Sequence, residues 1–145
     1  MPMFERVVIG GLKSRQRDAF GSGQFGAHRT GHRHGSTHEG LDIVASAHST
    51  VFSPIDGVLV REARPYGAAS PFAGVVIQGT GAWQDYEVKM FYVSGYRSGV
   101  VSAGETIGVV QDLEWRYPGI TNHIHVEVRK GGTLLSPADL YGMCF

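Results

Sequence analysis

Seven histidines lie among 145 residues, and two of their settings combine residue types and spacing suited to metal chemistry. The first reads HEGLD, from His38 to Asp42; the second reads HIH, with His123 and His125 at its ends. Imidazole nitrogens and carboxylate oxygens bind zinc at about 2.0–2.2 Å, usually four in tetrahedral order, so such groups must converge within a few ångströms. In HIHVEV the alternation places His123, His125 and Glu127 on one face of a strand and Ile124, Val126 and Val128 on the other, core-like face. The two imidazoles then stand about 6.6 Å apart at their backbones, so one can bind a metal while the other faces a substrate position. The plain alternative is a pair of satisfied histidines on the surface of an amphipathic strand. His38 and Asp42 pose a different problem, because a flat strand would separate them by about 13 Å. The chain must bend between them, which Gly40 permits. A helical turn would also bring them together, but the LDIVAS run that follows reads as strand.

The elements that must carry these residues are short. From Leu41 onward, the runs LDIVAS, TVFSPIDGVLVRE, GVVIQG, YEVKMFYVS, ETIGVVQ and HIHVEVRK recur between glycines, with the length and β-branched content of strands. Asp56 followed by Gly57 reads as a hairpin turn, and Ala103 followed by Gly104 as another tight turn. Residues 136–141, SPADLY, are a candidate helix with Pro137 in its first turn. The glycine-, histidine- and arginine-rich stretch 21–37 reads as a long loop. These signals predict an all-β domain, a compact antiparallel sheet over residues 21–145, preceded by an N-terminal segment, 1–20, that can add a strand.

Composition bounds the function. Hydrophobic residues make up 42% and charged residues 18%, ordinary for a soluble domain large enough to bury a core. Thirteen Lys and Arg balance thirteen Asp and Glu, which points away from nucleic acid as a partner. Twenty-one glycines favour a turn-rich architecture. No run of eighteen apolar residues occurs, so no membrane insertion is expected. The opening residues contain no apolar run of signal-peptide length, and a single cysteine, Cys144, allows no disulfide within the chain.

Taken in order, the two motifs and the strands between them resemble the lysostaphin-type zinc metallopeptidases. HEGLDIVASAHSTVFSPIDGVLV is similar to that family's first zinc motif and the strand–turn–strand after it; SAGETIGVV resembles its next turn, and HIHVEV its second zinc motif. The resemblance covers about residues 21–141. It implies a groove over one zinc ion, with His38, Asp42 and His125 as ligands and His123 as the catalytic imidazole. VKMFY, ARPYG and YPGITNHIHVE bring the chain closer to one branch, the leukocyte cell-derived chemotaxins, regarded as non-peptidase ligands of receptors. That branch is secreted and carries disulfide cysteines that are absent here.

One position departs from the peptidases. They carry a further catalytic histidine in a motif resembling Y-x-H-L-S, where this chain reads MFYVS and places Tyr92. Peptide hydrolysis at zinc needs a polarised carbonyl and groups that move protons. Histidine, with a pKa of about 6.5, serves near neutrality; tyrosine, at about 10, is a poor base there, although its hydroxyl can donate to an oxyanion. Losing a placed proton-transfer group costs on the order of 10²–10⁴ in rate. The expectation is a zinc-binding protein that recognises a protein receptor or a glycan, with catalysis impaired or absent. The alternative is a zinc metalloendopeptidase acting on cell-wall (peptidoglycan) or glycine-rich peptides, with Tyr92 standing in for the histidine.

Other residues carry weaker signals. Glu127 can orient a ligand histidine or lie on the surface as a plain carboxylate, and Glu39 is expected in solvent. His28, His32 and His34 belong to the loop, and Arg29 resembles a structural arginine that precedes the first zinc motif. Phe72, Trp83, Trp115 and Tyr117 fall in loop-like stretches, where they can wall the groove, although core packing or loop anchoring is the commoner fate of such aromatics.

Overall fold

A computed structural model of the chain describes residues 3–8 and 40–137. The short apolar runs form ten strands: β1 (Leu41–Val44), β2 (Thr50–Phe52), β3 (Gly57–Ala63), β4 (Gly74–Gly79), β5 (Tyr86–Phe91), β6 (Val93–Ser94), β7 (Gly99–Val101), β8 (Thr106–Val110), β9 (His123–Lys130) and β10 (Thr133–Leu135). A 3-10 turn at Gly81–Trp83 joins β4 to β5. All the strand pairings are antiparallel. The larger sheet runs β1-β9-β5-β4-β3-β7, with β10 also pairing β9, and the smaller runs β2-β8-β6. No helix among the described residues is long and apolar enough to cross a membrane.

Alternation decides which face of the larger sheet is core. Ile124, Val126 and Val128 of β9 are fully buried, as are Val88 and Met90 of β5 and Leu41 and Ile43 of β1. They belong to one cluster with Val51, Val93, Ile107 and Val110 of the smaller sheet. Burying each such side chain is worth about 1.5–3 kcal/mol, so the register of β9 is firmly set. A slip of one residue would turn its histidines into the core. Residues 3–8 close the smaller sheet: Val8 bridges Val51, and the Phe52 N–H donates to the Val7 carbonyl at 2.8 Å.

Two sequence expectations change. Asp56 and Gly57 do not turn a hairpin, because β2 and β3 lie in different sheets. The chain turns a corner there instead. The Asp56 carboxylate accepts the Ala103 N–H at 2.8 Å, and the Ser53 N–H donates to the Glu105 carbonyl at 2.8 Å, tying the corner to the turn before β8. Gly57 serves close approach, since a Cβ there would lie 2.4 Å from the Gln78 carbonyl oxygen. The run YEVKMFYVS is likewise two strands, broken at Tyr92, whose φ of 70° turns the chain out of the larger sheet and into the smaller. Trp83 takes the core alternative: it is buried against Phe4 and Tyr86, with ring centroids 5.2 and 4.8 Å away. The turn at Ala103 and Gly104 is present, with Gly104 at φ 85°. The candidate helix at 136–141 lies outside the described residues beyond Pro137, as does the expected loop at 21–37.

Candidate functional site

Register assembles the site. Asp42 of β1 stands opposite His125 of β9, which stands opposite Phe91 of β5; Val44 stands opposite His123, and Lys89 opposite Glu127. Directly paired residues share a face, so Asp42, His125, Glu127, Lys89 and Phe91 line the side of the sheet away from the core. Yet this face is not a wet surface. Asp42 is 3% exposed, His123 4%, Glu127 7% and His125 8%, which removes the reading of HIH as ordinary surface histidines.

Buried polar groups need partners, and these have them. Asp42 holds both imidazoles, His125 Nδ1 lying 2.9 Å from Oδ1 and His123 Nε2 3.3 Å from Oδ2. His123 Nδ1 lies 2.7 Å from the Thr121 carbonyl oxygen, so that nitrogen donates, while Nε2 faces the Asp42 carboxylate. His125 Nε2 lies 2.9 Å from Glu127, and Arg129 donates to the far oxygen of Glu127 at 3.1 Å. Burial opposes a charge on His125, but the carboxylates at both nitrogens outweigh it and raise its pKa above the ordinary value. Burial also opposes ionisation of Glu127; the bond to His125, with Arg129 and Lys89, prevails and holds its pKa at about 2. Phe91 lies parallel on the His125 ring at 5.3 Å, and Lys89 sits over Phe91 at 5.9 Å. Gly40 brings the chain against this imidazole, for a Cβ there would lie 2.8 Å from His125 Nε2.

Tyr92, at the corner between sheets, sets its ring edge-on to His123 at 5.5 Å, and its hydroxyl lies 2.9 Å from that of Tyr66. Burial, the Tyr66 hydroxyl and the charge of Asp42 push its phenol far above the ordinary value. Burial thus keeps the Tyr92 phenol in its neutral form, which favours hydrogen bonding over proton abstraction. Phe72 packs its edge on Tyr92 at 5.6 Å and carries Trp115 and Tyr117 at 5.5 and 6.5 Å, so these aromatics form a wall beside the histidines as expected from sequence. Asn122 pins the loop that precedes β9, accepting from the Leu113 N–H and donating to the Ala45 and Gln111 carbonyls.

Sequence reasoning brought Asp42, His123, His125, Glu127 and Tyr92 together, and the structure places all five in one region. It missed Phe91, Tyr66, Thr121 and Asn122. The even spacing of Phe91 from Lys89 and Glu87 on β5 would have put Phe91 on the site face; Tyr66 acts from a loop 26 residues away from Tyr92, while Thr121 and Asn122 act through the loop just before His123. His38, Glu39, His28, His32, His34 and Arg29 lie outside the described residues. Among the described residues, no three His, Cys, Asp or Glu side chains are arranged to hold a metal ion. Asp42 and His125 are a fitting part of a zinc site: a carboxylate oxygen and an imidazole nitrogen 2.9 Å apart, with the other imidazole nitrogen fixed by a carboxylate, the usual support of a ligating histidine.

Comparison with known proteins agrees with this geometry. Residues 36–137 match the model of peptidase family M23. Leukocyte cell-derived chemotaxin-2 of Mus musculus is 36% identical over 115 residues, covering 78% of this chain and 71% of that protein. Among solved structures, the catalytic domain of the antimicrobial peptidase lysostaphin from Staphylococcus simulans superposes with a TM-score of 0.59 at 16% identity, covering 82% of this chain and 89% of that one. A zinc-containing peptidase from Vibrio cholerae gives 0.59 at 21% identity, covering 92% of this chain but only 38% of the other, so this chain spans about a third of that protein. At such identities the two structures speak for fold alone.

Proposed function

From the premise that the chain belongs to peptidase family M23, we propose that it is a zinc-binding protein of the chemotaxin-like kind, which recognises a protein or glycan partner and hydrolyses peptides poorly or not at all. The observation that carries this is Tyr92. The phenol beside His123 is held protonated by burial and bonded to Tyr66, so it cannot take the proton that a histidine there would take. Identity to a chemotaxin over most of both chains supports the same reading. Asp42 and His125, completed by His38, would hold the zinc, which when bound supplies a polarised water or carbonyl oxygen. Glu127 fixes the His125 ring, and Phe91 covers it.

A second reading, a weak endopeptidase on cell-wall or glycine-rich peptides, draws on His123. Its Nδ1 is anchored on Thr121, and its Nε2 faces the Asp42 carboxylate, a pair that would hold or pass a proton. The two readings separate in one experiment. Metal analysis of protein purified without chelator should give about one zinc per chain, reduced in His38→Ala and Asp42→Ala. Wild type, Tyr92→His and His123→Ala, each at verified zinc occupancy, are then assayed on pentaglycine and peptidoglycan peptides. The binding reading expects no turnover by wild type. Robust, chelator-sensitive cleavage by wild type and its loss in His123→Ala would establish the peptidase instead.

A further inference from the structure

A concavity of about 280 Å³ has Phe72, the ring packed on Tyr92, in its lining. His48, Pro71, Val110, Asp112 and Trp115 line it as well. The lining is fixed before any ligand arrives. The Gln111 side chain donates to the Pro71 carbonyl at 3.0 Å and accepts the Ala73 N–H at 2.9 Å, which pins that loop to the end of β8. Trp115 is the unusual member. Its indole leans on Phe72 with ring centroids 5.5 Å apart, yet the residue stays 60% exposed, whereas Trp83 is 6% exposed. Among the described residues of the lining, Asp112 is the one Asp, Glu, Lys or Arg. One of its oxygens accepts the Glu114 N–H at 2.9 Å.

An exposed indole that shares a lining with a carboxylate is a receptor for an organic cation. The ring attracts positive charge through its quadrupole, tryptophan more than other aromatics, and a carboxylate adds a charge-assisted hydrogen bond. We propose that this pocket binds a cationic side chain, arginine or lysine, presented by a partner polypeptide, with its charged head at Trp115 and Asp112. Charge complementarity selects this occupant: the acid of the lining disfavours an anion, and a purely apolar side chain would leave the carboxylate without its partner. The pocket uses neither Asp42 nor a histidine of the metal site, so it stands or falls apart from zinc.

The test uses the full chain labelled with ¹⁵N. The two tryptophan indole N–H signals are followed as N-acetyl-arginine methylamide is added, the buried Trp83 serving as internal reference. The neutral isostere N-acetyl-citrulline methylamide is the control. Trp115 should shift saturably with the arginine probe, and citrulline should bind about tenfold more weakly, the size expected when a charged pair is replaced by a neutral one. Asp112→Asn, whose amide oxygen can still accept the Glu114 N–H, should lower arginine affinity to the citrulline level with an unchanged melting temperature. The titration should repeat in chelator. No saturable shift, equal affinity for citrulline, an unaffected Asp112→Asn, or loss of binding on chelation would each overturn the proposal.

Discussion

At the scale of single residues, the site is a set of charges taken out of water and then satisfied. His125 stands between Asp42 and Glu127, and Arg129 backs Glu127, so each carboxylate is answered. This arrangement predicts the effect of Glu127→Ala. The variant should fold, but the His125 ring loses its anchor, and zinc affinity should fall about 10- to 100-fold, as when comparable supporting groups are removed. A competition titration against a chromophoric chelator measures it, and unchanged affinity would show that Glu127 only neutralises Arg129. Tyr92 gives a second prediction. Its phenol is pushed far up, so it should stay protonated through the pH, about 10, at which an ordinary tyrosine ionises. Spectrophotometric titration of wild type and Tyr92→Phe should therefore count the same number of phenols up to that pH. One fewer in the variant would mean Tyr92 is more accessible than its burial indicates. His123, His125 and Glu127 were legible because alternation fixes faces, and Asp42 through the resemblance of HEGLD to a zinc motif; Tyr66 was not, since a contact across 26 residues leaves no local pattern.

At the scale of elements, strand β9 was readable almost residue by residue, and the corners were not. HIHVEV alternates because one face packs on the core and the other holds the site. By contrast, nothing in YEVKMFYVS announces that the chain leaves one sheet for another at Tyr92, because a tyrosine at positive φ is imposed by its surroundings, here the Ala73 carbonyl, which receives the N–H groups of both Tyr92 and Val93. The glycine of the Asp56 and Gly57 pair carried a turn signal for the wrong reason, as it is the approach of β4 that excludes a side chain. The same distinction yields a prediction. Gly57→Ala should destabilise by about 1–3 kcal/mol, the usual cost of forcing extra atoms into a packed place. Gly40→Ala should do so as well and also weaken zinc binding, since its Cβ would meet both the Val126 carbonyl at 2.4 Å and His125. Denaturant midpoints, with zinc stoichiometry measured beside them, separate the two. Equal zinc affinity in Gly40→Ala and wild type would free the approach to His125 from any role in the metal site.

At the scale of the whole molecule, the core sits between two sheets, and the site lies where β1, β5 and β9 of one sheet meet the loops that lead to the other. Asp42 and His125 are 83 residues apart in sequence, so an ion held by both, with His38, ties the edge strand β1 to the strand beside it. An ion bound to the native state alone adds stability by mass action, about 4 kcal/mol when its free concentration exceeds the dissociation constant a thousandfold. For a chain of this size, that is a fall in melting temperature on the order of 10 °C when the metal is withdrawn. The control is Asp42→Asn. Without the ion, this variant loses the ion pairs of Asp42 with His123 and His125 and melts lower from the start. It should then be indifferent to chelator, because no competent site is left to empty. Calorimetric scans of both proteins, with zinc content verified before and after dialysis against chelator, make the comparison. Equal sensitivity of wild type and variant would place the stabilising metal elsewhere. A wild type that melts unchanged after complete zinc loss would mean that the Asp42–His125 contact holds β1 to β9 without the ion, which would leave zinc a role in chemistry or recognition and none in the fold.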